Sequence, residues 1–354
     1  MPKLFQKTLL LCAEKYSLFN SFATILNEIS DETKGFDIRK KLNHFVLQSQ
    51  SQMFRFPHKI RDRWENIILG TANSEIIAEI KTYKPELVFV YNSEYLMPET
   101  CIEIKKNARL VFFMGDSPFF TPMNPYYLSC LTYADLILCP DTFWISQMSM
   151  LGIKNIAYFI PGIDISSYYI IESQNIPGHI EETDIFYSGS CYNNSWGYKK
   201  ALLMNQFTGM NFRLLGNRSW KKWFAFFPEL KQHYTETNFI SSEHLNMMMN
   251  RAKVMPVDGN PAILNGFHLR LFEALGSGVL PLVESRKDVE DVLLSNSDVI
   301  VPLIRDYHDA GFMAKYYIRN ENERKDLINA LRSYILDYYS PTRNGERLKE
   351  LLDK

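Results

Sequence analysis

The chain contains no run of about 20 apolar residues, the length that a bilayer-crossing helix needs, so a membrane-spanning protein is not expected. Cysteine is scarce and scattered: Cys12, Cys101, Cys130, Cys139 and Cys191, with no C-x-x-C pair. A disulfide framework or a structural zinc site needs clustered thiols. Small buried hydrophobes in a reducing compartment are the simpler reading. Neither sign of charge is in excess, with 39 Lys plus Arg against 40 Asp plus Glu. A protein that lives on nucleic-acid phosphates carries a clear basic surplus, so nucleic acid is not expected as a partner. No G-x-G-x-x-G follows a strand, and there is no P-loop, G-x-S-x-G or H-E-x-x-H. Redox, ATPase, serine-hydrolase and zinc-protease readings therefore lack their motifs.

What is present is ordinary globular material, 46% hydrophobic and 22% charged over 354 residues. That length suits two domains of about 150–180 residues each. Lys3 and Lys7 before Thr8–Ala13 give the amino terminus the look of a signal peptide. The apolar run is short, and Glu14 and Lys15 stand where small residues would mark cleavage. A first buried strand in a cytoplasmic protein is the expectation.

Short apolar runs alternate with longer helical spacings along the whole chain. Strands are expected at 8–13, 86–91, 109–114, 135–139 and 155–160, and again at 184–188, 211–215, 253–257, 279–283 and 298–302. Near-continuous Val, Ile, Leu and Phe predict strands covered on both faces, and strand–helix alternation predicts parallel sheets. Pro161-Gly162 and Pro177-Gly178 bracket a weakly patterned stretch, which has the punctuation of a linker. The expected organisation is an α/β domain over 1–163, a linker over 164–183 and a second α/β domain over 184–335. A helix over 336–354 would be available to pack back on the first domain. Ligands of such sheets sit beyond the carboxyl ends of the strands, so the residues just after the strands are the candidates.

The most informative stretch runs from Asn265 to Val283 (NGFHLRLFEALGSGVLPLV). Asn265-Gly266 reads as a turn with Asn265 as an N-cap, followed by a helix whose first amides, Gly266 to Leu269, would form an anion site. Glu273 sits deep in this apolar helix, where a carboxylate needs solvent, a charge partner or hydroxyl donors. The register of Gly266, Phe267, Leu269, Glu273, Ala274, Gly278 and Pro281 resembles that of the GT-B glycosyltransferases of the retaining family 4 (glycosyl transferases group 1), and the Asn-x-x-Leu-Arg-x-Phe-Glu-Ala version resembles the CgeB-like branch. Tyr133–Pro140, Ile160–Asp164, Asp184–Ser190 and Asn211–Arg218 resemble further segments of that family. The likeness implies a GT-B fold, two Rossmann-like parallel-sheet domains facing across a cleft. It implies transfer of a sugar from a nucleotide-diphosphate sugar to an acceptor hydroxyl, with retention and without an obligatory metal or cofactor. The absence of an Asp-x-Asp after a strand agrees with the last point.

By that resemblance, Gly189, Ser190, Asn265, Gly266, Phe267, His268, Leu269, Arg270 and Glu273 bind the nucleotide sugar, with Glu273 on the ribose. Asn265 stands where the family has a glutamate that contacts the transferred sugar, and His268 stands where it has a glycine. Lys199, Lys200, Arg218 and Arg270 compete for the role of neutralising the leaving diphosphate; solvated helix lysines are the plain alternative. Asp288, Glu290 and Asp291 read as a solvated helix face. Asp116, directly after the strand 109–114, is expected to line the acceptor side or to shape an Asx turn. Asn92-Ser93-Glu94 holds the same position with a weaker claim. Between 34 and 64 a basic run is interleaved with Phe36, Phe45, Phe54, Phe56 and Trp64, a composition that suits peripheral contact with the inner face of a membrane. The acceptor is expected to be a glycan, a protein or a lipid-linked hydroxyl. A GT-B protein that binds without catalysis, or a sugar-nucleotide epimerase, is the alternative.

Overall fold

The computed structural model describes residues 3–353 apart from Ser17, 44–46, 48–54, Ser93, Glu94, 120–125 and Asn296. Phe45, Phe54, Ser93 and Glu94, named above, lie outside the described residues. Contacts divide the chain into two units, Met1–Pro161 with Pro341–Lys354, and Gly162–Ser340.

The first unit is built on a parallel sheet of β1 (Phe5–Leu11), β2 (Ser30–Phe36), β3 (Leu87–Tyr91), β4 (Arg109–Phe113), β5 (Leu136–Cys139) and β6 (Ile156–Tyr158), in the order β2-β1-β3-β4-β5-β6. Its longer helices are α1 (Leu18–Ile29), α2 (His58–Tyr83), α3 (Pro98–Lys105) and α4 (Thr142–Met150). Leu110 to Phe113 of β4 are fully buried, as their unbroken apolar run requires of a strand covered on both faces. Phe22 of α1 lies 4.9 Å from Phe89 and 4.6 Å from Phe113, ring centre to ring centre. These rings anchor one side of the sheet.

The second unit has β7 (Thr183–Ser188), β8 (Phe212–Gly216), β9 (Tyr234–Glu236), β10 (Ala252–Val257), β11 (Leu280–Glu284) and β12 (Leu303–Ile304), again all parallel, in the order β12-β11-β10-β7-β8-β9. Its longer helices are α5 (Ser195–Asn205), α6 (Ser242–Asn250), α7 (Arg270–Gly276), α8 (Tyr307–Arg319) and α9 (Glu321–Tyr339). The segment expected as a linker contributes to this unit's interior. Tyr168, Ile176 and Ile180 are buried with Phe186 and Met249, and the Ile171 amide donates to Asn250 Oδ1 at 2.7 Å.

The last helix, α10 (Pro341–Leu352), belongs to the first unit. Leu348 and Leu352 enter the core beside Phe22 and Ile25, and buried Asn344 donates to the Pro161 carbonyl at 2.9 Å. Gly345 permits the approach to α1, because a Cβ there would lie 2.5 Å from Glu28 Cβ.

Two strands escape the sequence reading, β2 and β9. Both are edge strands. β2, with the sequence SDETKGF, is largely exposed between its buried ends, so it lacks the apolar run that marks the central strands. β12 begins at Leu303, after the stretch 298–302 where a strand was expected.

In the second unit the first strand lies at the centre. The chain proceeds outward through β8 and β9, then returns to β10 and proceeds to the other edge. That reversal opens a crevice beyond the carboxyl ends of β7 and β10, the usual ligand position in open α/β sheets. The corresponding reversal in the first unit lies between β1 and β3.

Candidate functional site

At the β7–β10 crevice a buried carboxylate organises the surrounding cations. Asp258, the residue after β10, is 4% exposed. Tyr187 near the end of β7 donates its hydroxyl to Oδ1 at 2.7 Å. Lys200 Nζ stands 3.1 Å from Oδ2 and donates to the Ser190 carbonyl at 2.9 Å. Arg270 Nη1 lies 3.7 Å from Oδ1, and its guanidinium is 5.2 Å from the Tyr187 ring centre. Burial opposes the charge on Asp258, but Lys200 and Arg270 outweigh it and hold the carboxyl below its ordinary pKa. Burial likewise opposes the charge on Lys200, which Tyr187 and Asp258 raise above the ordinary lysine value. All three groups are ionised at neutral pH.

A second carboxylate continues the network. Glu284, at the end of β11, accepts from Lys199 Nζ at 2.6 Å and Arg286 Nη2 at 3.0 Å through Oε1, and from the Gly259 amide at 2.9 Å through Oε2. Glycine at 259 lets Arg286 lie close against the backbone, since a Cβ would stand 1.9 Å from its guanidinium and push it aside. Lys199 also lies 4.0 Å from the Trp196 ring centre. Asn194 caps α5 by accepting from the Trp196 amide. Successive helix residues diverge by about 100°, so Lys199 and Lys200 serve different carboxylates. Four cations surround these two carboxylates and Glu273, which also faces Arg270, so with all three carboxylates ionised one positive charge is left unbalanced at the carboxyl ends of β7, β10 and β11. A low-dielectric setting makes such a surplus a strong anion attractor.

The stretch from Asn265 folds differently from its sequence reading. The helix begins at Arg270, with Leu269 rather than Asn265 at its N-cap position. Asn265 and Gly266 lie in the preceding loop, where the Asn265 carbonyl accepts the Asp288 amide at 2.9 Å. The amides of Gly266 to Leu269 are therefore not a helical first turn. The carbonyls of His268 and Leu269 accept from Leu271 and Phe272, and His268 Nδ1 accepts from the Arg270 amide at 3.1 Å. This side-chain bond starts the helix later and puts the imidazole proton on Nε2. Burial, then Arg270, depress the His268 pKa to about 3, so the ring is a neutral donor.

Glu273, one turn into α7, is partly exposed and bonded to the Tyr168 hydroxyl. Burial raises its pKa and Asp164 adds to the rise, against the opposing pull of Arg270 and Tyr168. Phe267 is 2% exposed and packs on Phe272, a core contact rather than a ligand contact. Gly189 is bounded by Tyr187, whose hydroxyl would stand 2.7 Å from an added Cβ, and its carbonyl accepts from Trp220 Nε1. Arg218 is exposed, opens the 3-10 segment Arg218–Ala225, and makes no ion pair among the described residues. The network thus gathers Lys199, Lys200 and Arg270 and leaves Arg218 outside. Asp288 is fully buried at the entry to a π-helical turn over 289–293, not on a solvated face. Asp258, Tyr187, Glu284 and Arg286 were missed in the sequence. Asp258 and Glu284 mark the ends of buried strands, the same signal that singled out Asp116.

In the first unit, Asp116 follows β4 by three residues and is exposed. Its Oδ2 accepts from Asn92 Nδ2 at 2.7 Å, while Asn92 Oδ1 accepts the Gly115 and Asp116 amides at 2.7 and 3.2 Å. Asn92 has φ 40°, a left-handed conformation that asparagine tolerates. It is the residue that orients Asp116. Beside it, at the β1–β3 reversal, a pocket is lined by Cys12, Tyr16, Asp37, Arg39, Tyr91 and Asn92. Arg39 lies 5.2 Å from the Tyr16 ring centre, and Asp37 accepts the Glu14 and Arg39 amides. Among the described residues no group of three or more His, Cys, Asp or Glu side chains is placed to hold a metal ion. None of the described helices is long and apolar enough to cross a membrane.

Residues 199–353 match the model of the glycosyl transferase-like family. No curated protein matches the sequence. Among solved structures, the chain is similar to Anabaena Alr3699/HepE in complex with UDP and glucose, at 10% identity and a TM-score of 0.67, over 98% of this chain and 99% of that one. It is similar to an alpha-glucosyltransferase in complex with UDP-glucose and DNA containing an abasic site, at 11% identity and a TM-score of 0.68, over 99% and 100%. It is also similar to a putative UDP-N-acetylglucosamine 2-epimerase from Listeria monocytogenes, at 12% identity and a TM-score of 0.57, over 99% and 95%. The chain has the GT-B fold of the group 1 glycosyltransferases, with the glycosyl transferase-like match over the greater part of its second unit and the final helix.

Proposed function

We propose that this GT-B glycosyltransferase-like protein moves a sugar from a nucleotide-diphosphate sugar, held by the second unit, to an acceptor hydroxyl held by the first. The observation that carries the reading is the network of Lys199, Lys200, Arg270 and Arg286 around Asp258, Glu284 and Glu273, with its surplus positive charge. A sugar nucleotide presents two diphosphate charges and gains more negative charge on the leaving oxygen as the glycosidic bond breaks. Fixed cations at that position stabilise the transition state more than the ground state. They supply what a divalent ion would otherwise supply, so we infer that no metal is obligatory. Glu273 is assigned to the ribose hydroxyls and His268 Nε2–H to an oxygen of the donor. Asp116, held by Asn92, is assigned to the acceptor hydroxyl.

Uridine nucleotides are the first donors to try, because two of the similar structures named above contain UDP or UDP-glucose. We infer retention at the anomeric carbon from the family resemblance, and a cytoplasmic location from the scattered, unpaired pattern of the cysteines. A glycan, a protein or a lipid-linked hydroxyl is the acceptor class. Incubation with a labelled UDP-sugar and candidate acceptors, followed by product analysis, tests the assignment. Transfer that disappears in Glu273→Ala supports it.

A second reading has one specific observation behind it. Asn265 replaces the family's sugar-contacting glutamate, and its carbonyl is engaged by Asp288. A protein that binds the donor without transferring or hydrolysing it would show saturable UDP-sugar binding and no turnover with any acceptor. Epimerisation of the donor with no acceptor present would point to an epimerase instead.

A further inference from the structure

We propose that the outer face at the beginning of α2 is a docking surface for an anionic lipid bilayer. The inference does not depend on the donor site. α2 is 26 residues long, yet its buried residues are Ile68, Leu69, Ala72, Asn73, Ile76 and Tyr83. None of residues 58–67 is buried. Trp64 alone among the apolar residues of this segment packs on the neighbouring core; the side turned away from that core is normally polar, and this one is not. Ile60 and Ile67 are 52% and 54% exposed, and Phe56, two residues before the helix, is 49% exposed. Residues 60 and 67 lie seven apart, so they recur on one side of the helix.

The charges left without an ion-pair partner on this face are of one sign. His58 pairs with Asp62 at 2.5 Å, and Arg61 stands 3.8 Å from Glu65. Lys59 and Arg63 are exposed, and neither has an ion-pair partner among the described residues. They interleave with the apolar side chains at 56, 60 and 67. Apolar groups at the depth of acyl chains and cations at the depth of phosphates are the two components of an interfacial helix.

Other occupants fit less well. A second copy meeting this face across a two-fold axis would set Lys59 and Arg63 against the same cations of its mate, and like charges there oppose association. Three large apolar side chains also fall well short of the roughly 1,200 Å² that stable protein interfaces bury. An anionic bilayer answers both points, because it supplies the missing negative charge and takes up individual side chains without shape complementarity.

The test is co-sedimentation of the full chain with large unilamellar vesicles, one set of phosphatidylcholine alone and one of equal parts phosphatidylcholine and phosphatidylglycerol. Binding is expected to the mixed vesicles only, and to weaken as salt screens the surface. Lys59→Glu with Arg63→Glu should reduce it about 30-fold or more, at roughly fivefold for each cation lost. Phe56→Ser with Ile60→Ser and Ile67→Ser should abolish it at any salt. These side chains are exposed, so both variants should keep the unfolding temperature of the parent and its response to UDP. Equal binding by the parent and both variants would overturn the proposal, as would no binding to anionic vesicles. So would a parent dimer in solution that the serine variant converts to monomer.

Discussion

Replacing Lys200 by methionine separates the structural role of the cation network from its role in binding. Lys200 is 9% exposed and Asp258 4%, so the pair is effectively out of water. Removing one partner of a buried pair costs about 3–5 kcal/mol, because the remaining charge is left uncompensated. Here Asp258 keeps the Tyr187 hydroxyl at 2.7 Å and Arg270 at 3.7 Å, which places the expected cost at the lower end, about 3 kcal/mol. For a unit of this size that corresponds to a fall in Tm of about 6–12 °C. Adding Asp258→Asn removes the stranded carboxylate but leaves Arg270 with Glu273 as its carboxylate partner, so part of the lost stability should return. Affinity for UDP should behave differently. The phosphate loses a charge-assisted contact in either variant, so Kd should rise about tenfold or more in both. Thermal unfolding with and without UDP, run on the two variants and the parent, reads both quantities. If the double variant regains UDP affinity along with stability, or if the single variant never loses affinity, Lys200 serves the fold alone and the diphosphate assignment fails.

Glu273→Ala should weaken UDP binding by about tenfold to several hundredfold, at roughly 1.5–3 kcal/mol for each ribose hydrogen bond; a 2′,3′-dideoxy nucleotide should bind the parent as poorly and lose little more on the variant. Undiminished discrimination by Glu273→Ala against the dideoxy analogue would remove this residue from the ribose. The His268 ring titrates near 6.5 in the unfolded chain and near 3 when folded, so the unfolded state holds the extra proton between those values and stability falls as pH drops from 6.5 towards 3. Urea midpoints across that range should flatten in His268→Gln, and an unchanged acid limb would assign the loss to other groups. Asp116→Asn should lower transfer while leaving UDP affinity nearly intact; a matching loss of affinity would put Asp116 on the wrong side of the reaction.

The parallel sheets were legible because their central strands are buried on both faces, and β4 with its Leu-Val-Phe-Phe run is the plainest case. β2 and β9 were not, since an edge strand is stabilised by one neighbour's backbone and needs little apolar sequence. Lys199 and Lys200 were visible as candidates from their place after the Gly189 loop. Their partners were hidden because Asp258 lies 58 residues beyond Lys200 and Glu284 lies 85 residues beyond Lys199, and which strand ends meet is decided by the crossover from β9 back to β10. The late start of α7 was equally beyond a local reading. Asn265-Gly266 has good cap chemistry, but the Asp288 amide takes the Asn265 carbonyl and the His268 ring takes the Arg270 amide. One distant hydrogen bond, from Asp288, and one short-range bond to the His268 ring overrode the capping preference of Asn265.

The central claim is that the carboxyl ends of β7, β10 and β11 bind a nucleoside diphosphate. Isothermal titration calorimetry of the parent protein with UDP, without added metal, tests it most directly. The account predicts saturable binding at one site per chain, weakened in Lys200→Met and in Glu273→Ala. Absence of any saturable heat with UDP, GDP and ADP alike at millimolar concentration would contradict it.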